Sequence, residues 1–139
     1  MSRERFSGFA TPAVPTEEEI RAWAADPNAG PPDGRQWDLL LATDELIHTW
    51  LELAADPVCP KRAFALHVLY IYAGDSVRTK FKVHSRKKVD KLLEAASEYR
   101  DQWVRLWVRN TKALIKYPKL FDYQEWCNGG LVRNPRRIR

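Results

Sequence analysis

The sequence has little of several features that mark particular classes of protein. Its 139 residues include two cysteines, six glycines and one methionine. No apolar run approaches the ~20 residues that a membrane-spanning helix requires. Cys59 and Cys127 each lack a second cysteine at metal-ligand spacing, and no internal repeat is visible. These absences argue against a collagen-like chain, a disulfide scaffold, a transmembrane protein and a helical repeat array.

The N-terminal residues lack the apolar stretch of a secretory signal. Without such a signal, two thiols in a chain of this length are typical of a reduced, intracellular protein. We therefore expect a cytoplasmic location. No cofactor is predicted, because no glycine-rich phosphate loop opens a helix and no nucleophile elbow is present.

Length and composition favour one helical domain. Hydrophobic residues make up 45% of the chain and charged residues 29%, as in ordinary globular domains. We predict an all-α fold, namely an antiparallel bundle of about four main helices with a short N-terminal helix and flexible termini. The expected division is a flexible arm over residues 1–15, the bundle over 16–130 and a basic tail over 131–139.

The first two helices are predicted from a cap and from apolar spacing. Thr16 and Glu19 have the spacing of a capping box at the start of the short helix. A broad apolar stripe predicts a second helix over residues 35–55. Its other face carries an acidic stripe of four residues, Asp38, Glu45, Glu52 and Asp56.

The next two helices are predicted from an apolar run and a second cap. Residues 63–73 are almost continuously apolar, which is typical of a central helix, and Gly74 then indicates a close approach of helices or a bend. Ser85 is the expected N-cap of a fourth helix that ends at Tyr117, with any break at Asn110–Thr111. The expected core stripe of this helix is Val89, Leu92, Leu93, Ala96, Tyr99, Trp103, Leu106, Trp107, Leu114 and Tyr117.

Charge is divided unevenly along the chain, although the net charge is only +5. Residues 1–57 hold 4 Lys and Arg against 11 Asp and Glu, a net charge of −7, whereas residues 58–139 hold 19 against 7, a net charge of +12. The basic half is predicted to bind an anion or a nucleic acid through Arg86, Lys87, Lys88, Arg105, Arg109, Lys112, Lys116, Arg136 and Arg137.

These features predict a non-enzymatic interaction domain that binds an acidic protein or a nucleic acid, and no membrane. The alternative is that the two halves neutralise each other, either within one chain or across a homodimer. In the homodimer, the acidic stripe of the second helix would face a basic stripe on the fourth, formed by Arg105, Arg109, Lys112 and Lys116.

A metal site is not predicted, although one pair of residues has suitable spacing. Glu45 and His48 stand at positions i and i+3, as in bundle di-iron proteins, but no second such pair exists. We expect His48 instead to hydrogen-bond Asp44 or Glu52, each four residues away.

One pair of residues in the third helix suggests an enzyme. Arg62 and His67 are separated by four residues, and Arg78 and His84 by five. This spacing resembles the signature of the HEPN family of all-α ribonucleases, in which the Arg and the His lie near a dimer cleft and act on an RNA phosphodiester. The resemblance, which covers six residues, implies an alternative function as a ribonuclease. Arg62 would stabilise phosphate charge and His67 would transfer a proton.

Overall fold

The computed structural model describes residues 6, 8–11, 14–30, 41–122 and 126. Over these residues the chain is all-helical, with five α-helices and no strand, so the all-α prediction is confirmed. None of the described helices is both long and apolar enough to cross a membrane. The helices are α1 (Glu17–Ala25), α2 (Ile47–Ala55), α3 (Arg62–Arg78), α4 (Arg86–Ser97) and α5 (Gln102–Lys116), followed by a 3₁₀ turn (Pro118–Leu120).

Helix α1 begins at the predicted capping box. The Thr16 hydroxyl accepts the backbone N–H of Glu19 at 3.1 Å, and the Glu19 carboxylate accepts that of Thr16 at 2.9 Å. Two backbone donors at the helix end are thereby satisfied.

The second helix is shorter than the sequence predicts. Helix α2 begins at Ile47, and residues 42–46 are not helical, so the expectation of one helix over 35–55 is wrong there. The Thr43 hydroxyl accepts the backbone N–H of Leu46 at 3.3 Å, a local bond that competes with helix formation. The resulting turn carries Asp44. Residues 31–40 of the predicted helix lie outside the described residues.

Helix α3 is the centre of the fold. It packs against α2, α4 and α5, and most of its residues from Val68 to Val77 are buried. A Cβ atom added at Gly74 would lie 2.8 Å from two ring atoms of Trp126 and 3.1 Å from Phe121. Of the two predicted alternatives, the close approach is the one observed, and it is made by the side chains of Trp126 and Phe121. Only a residue without a side chain leaves room for the indole.

The predicted fourth helix is two helices. Helix α4 ends at Ser97, and α5 begins after Asp101, whose carboxylate accepts the backbone N–H groups of Trp103 and Val104 at 3.0 Å each. The expected break at Asn110–Thr111 is wrong. Both residues are fully buried within α5, and the Asn110 amide donates to the Tyr70 hydroxyl at 2.7 Å. That tertiary contact outweighs the weak helix propensity of asparagine and threonine.

The interruption changes which residues of α5 face the core. In one continuous helix, Trp103 would follow Ala96 by two turns and would share its buried face. Because the chain leaves the helix between Ser97 and Gln102, the side-chain directions of α5 no longer follow from those of α4. Trp103 is 47% exposed. Tyr117, at the end of α5, is 39% exposed. The prediction that Trp103 and Tyr117 belong to the core is therefore wrong.

Helix α3 is joined to α4 by a tight turn. The N–H groups of Lys80 and Phe81 donate to the carbonyls of Val77 and Ser76, at 3.0 and 2.7 Å, which is a Schellman arrangement. The Ser85 hydroxyl then accepts the Lys88 N–H at 3.2 Å, which confirms the predicted N-cap. This turn carries the chain back so that His84 reaches Asp44.

Candidate functional site

A groove of about 380 Å³ lies along the outer face of α5. We call it the α5 groove. The inner face of α5 is occupied by buried apolar residues, Val104, Trp107, Val108 and Leu114, so the groove faces away from the core. Its lining residues are Arg100, Gln102, Trp103, Arg105, Leu106 and Arg109.

Helix geometry explains how these residues form one surface. At about 100° per residue, Gln102, Leu106 and Arg109 fall between Trp103 on one edge and Arg105 on the other, an arc of about 160°. Leu106 is half-buried and forms part of the floor of the groove, whereas the other residues are exposed. The indole of Trp103 therefore lies at one edge of the groove and the Arg105 guanidinium at the other, with Arg109 between them.

The three arginines of the α5 groove are unpaired within the part of the chain that the structure describes. Arg100, Arg105 and Arg109 are exposed and form no ion pair or side-chain hydrogen bond there. Arg105 and Arg109 were predicted as binding residues, but Arg100 was not. Recognition of Asp101 as an N-cap would have placed Arg100 beside the start of α5.

The other predicted cations are distributed differently. Arg86 pairs with Asp90 at 3.0 Å, and its guanidinium lies 5.4 Å from the centre of the Phe81 ring. Lys88 pairs with Asp44 at 3.0 Å. Lys87, Lys112 and Lys116 are exposed, whereas Arg136 and Arg137 lie outside the described residues.

A second polar group, the Asp44 cluster, joins the turn before α2 to helix α3, the turn after it and helix α4. The Asp44 carboxylate accepts the Tyr72 hydroxyl at 2.7 Å, contacts Nδ1 of His84 at 2.8 Å and accepts the Lys88 ammonium at 3.0 Å. The rings of Tyr72 and His84 stack with centres 3.8 Å apart. Both rings are almost fully buried.

The cluster shifts the acid–base behaviour of two of its members. Burial raises the pKa of Asp44, but hydrogen bonds from Tyr72, Lys88 and His84 outweigh burial and hold the pKa below its ordinary value. Burial, followed by the hydrogen bond to Asp44, raises the pKa of Tyr72 far above its ordinary value. Tyr72 therefore remains a neutral donor, and Asp44 remains an ionised acceptor.

The residues around this cluster bear on two expectations, one about a metal site and one about a hydrogen bond of His48. Among the described residues, no group of three or more His, Cys, Asp and Glu side chains is placed to hold a metal ion. The expected hydrogen bond of His48 is not found there either. Asp44 bonds to His84, and Glu52 pairs with Arg21 at 2.7 Å.

Arg62 and His67 both lie on α3 and are half-buried. The Arg62 guanidinium pairs with Asp101, and its Nε donates to the Ala54 carbonyl at 3.0 Å, so that Arg62 links α3 to the end of α2 and the start of α5. Five residues along a helix separate the two side chains by about 140° around the axis. The ribonuclease function implied by the family resemblance stays a prediction.

The acidic stripe is partly neutralised within the chain. Glu52 shares Arg21 with Glu17, which lies 2.8 Å from that guanidinium, while Glu45 and Asp56 are exposed. Asp38 lies outside the described residues. The homodimer through opposed stripes also stays a prediction.

The chain matches no family model, and no curated protein or solved structure is significantly similar to it. Its site must therefore be interpreted from its own geometry.

Proposed function

We propose that this protein is a non-enzymatic interaction domain that binds an anionic partner through the α5 groove. One observation supports the proposal most directly: three exposed arginines border one open groove without an acidic partner among the described residues. Guanidinium groups bind phosphate and carboxylate through paired N–H donors. Arginines that have no acidic partner in the described part of the chain are available for such contacts.

Other cations extend this surface along the same helix. Arg105, Arg109, Lys112 and Lys116 are spaced by four, three and four residues and therefore follow one side of α5. All four are exposed. Like charges at this spacing repel one another by a few tenths of a kcal/mol, a cost that an anionic partner would remove.

The proposal also covers the arrangement of the helices and the location of the domain in the cell. We propose an antiparallel arrangement of the main helices and a cytoplasmic location, where Cys59 stays a free thiol. Reducing conditions in that compartment would leave Cys59 outside any disulfide.

The proposal is tested by removing two charges from the groove. The double variant Arg105→Ala and Arg109→Ala is compared with wild type for binding of inorganic polyphosphate over a range of salt concentrations. Each lost phosphate contact lowers the slope of log affinity against log salt by about 0.7–0.9. We expect weaker binding by the variant and a slope that is smaller by between one and two.

The matched control removes the same charge from paired positions. Arg78 and Arg86 each pair with an aspartate on their own helix, Asp75 at 3.2 Å and Asp90 at 3.0 Å. The double variant Arg78→Ala and Arg86→Ala should bind polyphosphate nearly as tightly as wild type. Equal weakening by both double variants would show that only total charge matters. The α5 groove would then not be the binding site.

A further inference from the structure

We propose that the partner of the α5 groove is a single-stranded nucleic acid, one of whose bases stacks on Trp103. This inference rests on the proposed function, because it identifies the anion that the same groove binds. The observation that carries it is an exposed indole in the same groove as three arginines that have no acidic partner among the described residues. That combination presents a flat aromatic surface for a base and cationic groups for the adjacent phosphates.

Trp103 differs from the other described tryptophans. Trp23, Trp50, Trp107 and Trp126 are each at most 1% exposed, whereas Trp103 is 47% exposed. A large aromatic side chain left in water at this level contributes little to its own core. It is available to stack on a planar group, and unpaired bases stack on aromatic side chains in many single-strand sites.

The arginines suit phosphates and bases better than lysines would. A guanidinium group donates two parallel hydrogen bonds to one phosphate, and its plane also stacks on a base. Arg105 and Arg109 lie one helical turn apart, about 6 Å along the axis. They can therefore contact different phosphates of one strand.

The groove is less suited to the two main alternatives. An acidic peptide that binds tightly also needs an apolar recess for an anchoring side chain. Among the described residues, Trp103 and Leu106 alone supply apolar side chains to this open groove. A duplex can contact the arginines through its phosphates, but its bases are already stacked and cannot reach Trp103. Single strands alone use every feature of the groove.

The length of α5 predicts how many nucleotides the strand contacts. From Trp103 to Lys116 the helix rises about 20 Å, which corresponds to roughly six nucleotides of a stacked strand. The second exposed aromatic, Tyr117, lies at that end, with the Lys116 ammonium 5.5 Å from the centre of its ring. We expect affinity to rise with length up to about six nucleotides and to change little beyond that.

The experiment measures binding of a fluorescein-labelled oligothymidylate of twelve nucleotides to the full chain. Thymidylate is used because it forms no internal pairs. The variant Trp103→Ala should bind this probe about tenfold to a hundredfold more weakly, since stacking accounts for that range per base. Trp103→Phe should recover most of the loss because phenylalanine still stacks.

A spectroscopic readout separates stacking from an indirect effect. Binding of the probe should quench part of the tryptophan emission of wild type, and the same quenching should be absent in Trp103→Phe. Thermal unfolding of both variants, followed by circular dichroism, should match wild type because the indole is not part of the core.

Three further probes make the outcomes distinguishable. Two of them carry negative charge without accessible bases: inorganic polyphosphate, and the oligothymidylate annealed to oligoadenylate. Trp103→Ala should leave the affinity for both unchanged. If Trp103→Ala leaves oligothymidylate binding unchanged, the inference is overturned while the proposed function stands. Tighter binding of oligoglutamate than of oligothymidylate also overturns it, in favour of an acidic protein. If no anion binds even at low salt, both proposals fail.

Discussion

The two polar regions of this molecule, the Asp44 cluster and the α5 groove, use charge in opposite ways. In the Asp44 cluster, the side chains of Tyr72, His84 and Lys88 all lie within 3.0 Å of one carboxylate. In the α5 groove, three arginines have no acidic partner within the described part of the chain. The first arrangement pairs buried side chains with a common carboxylate, whereas the second leaves exposed guanidinium groups without an acidic partner among the described residues.

The difference shows why a count of charges along the sequence does not locate a binding surface. Lys88 and Arg86 belong to the same basic stretch as Lys87, yet Lys88 pairs with Asp44 and Arg86 with Asp90. Their charge is already used within the chain. Stability should therefore depend on the Asp44 cluster, and binding should depend on the α5 groove.

The largest effect on stability is expected from Asp44→Ala. This change leaves the buried Tyr72 hydroxyl and His84 imidazole without their shared acceptor. An unsatisfied buried polar group costs about 1–3 kcal/mol, so we expect the free energy of unfolding to fall by about 3 kcal/mol. Urea denaturation followed by circular dichroism measures the change.

The neighbouring residue provides the control for this prediction. Glu45 is exposed and forms no ion pair with a described side chain, so Glu45→Ala should change the free energy of unfolding by less than about 0.5 kcal/mol. Similar losses from both variants would contradict the special role of Asp44. Neither variant should alter polyphosphate binding through the α5 groove.

A smaller loss of stability, caused by protonation of Asp44, is expected at acid pH. The pKa of Asp44 is lowered in the folded state, so its contribution to stability is complete above its unfolded pKa, near pH 4. That contribution is lost as the pH falls through the lowered folded pKa. Urea denaturation between pH 7 and pH 2 should therefore show a decline below about pH 4.

The matched comparison is the same titration of the Asp44→Ala variant. Without the carboxylate, the decline below pH 4 should be shallower than in wild type. Parallel curves for the two proteins would show that other carboxylates cause the acid sensitivity and that Asp44 is not held in its ionised form by the cluster.

Local signals in the sequence were sufficient to predict much of the fold. The Thr16 and Ser85 caps and the apolar α3 follow from chemistry within a few residues along the chain. Gly74 was a local signal for a close approach, but the residues that make the approach, Trp126 and Phe121, are distant in sequence. The break between α4 and α5 also has a local signal, the Asp101 cap. Helix propensity pointed instead to Asn110–Thr111, which long-range burial stabilises.

The two polar regions could be predicted only in part. Asp44, Tyr72 and His84 come from three separated segments, so nothing local in the sequence joins them. Two arginines of the α5 groove could be predicted, because the spacing of Arg105 and Arg109 places them on one side of any helix. Trp103 was assigned to the core on the expectation of one continuous helix, in which it would lie two turns after the buried Ala96. Because the helix break was predicted at the wrong place, the sequence did not identify Trp103 as part of the groove.

The smallest effect on stability is expected within the groove itself. Arg105 is exposed and lies one turn from Arg109, so Arg105→Gln removes a like-charge repulsion and no internal contact. We expect the free energy of unfolding to stay the same or to rise by about 0.3 kcal/mol, while affinity for polyphosphate falls. Raising the salt concentration should remove the small gain, since screening weakens the repulsion. A loss of more than about 1 kcal/mol would mean that Arg105 supports the fold, and the contrast between the two regions would no longer hold.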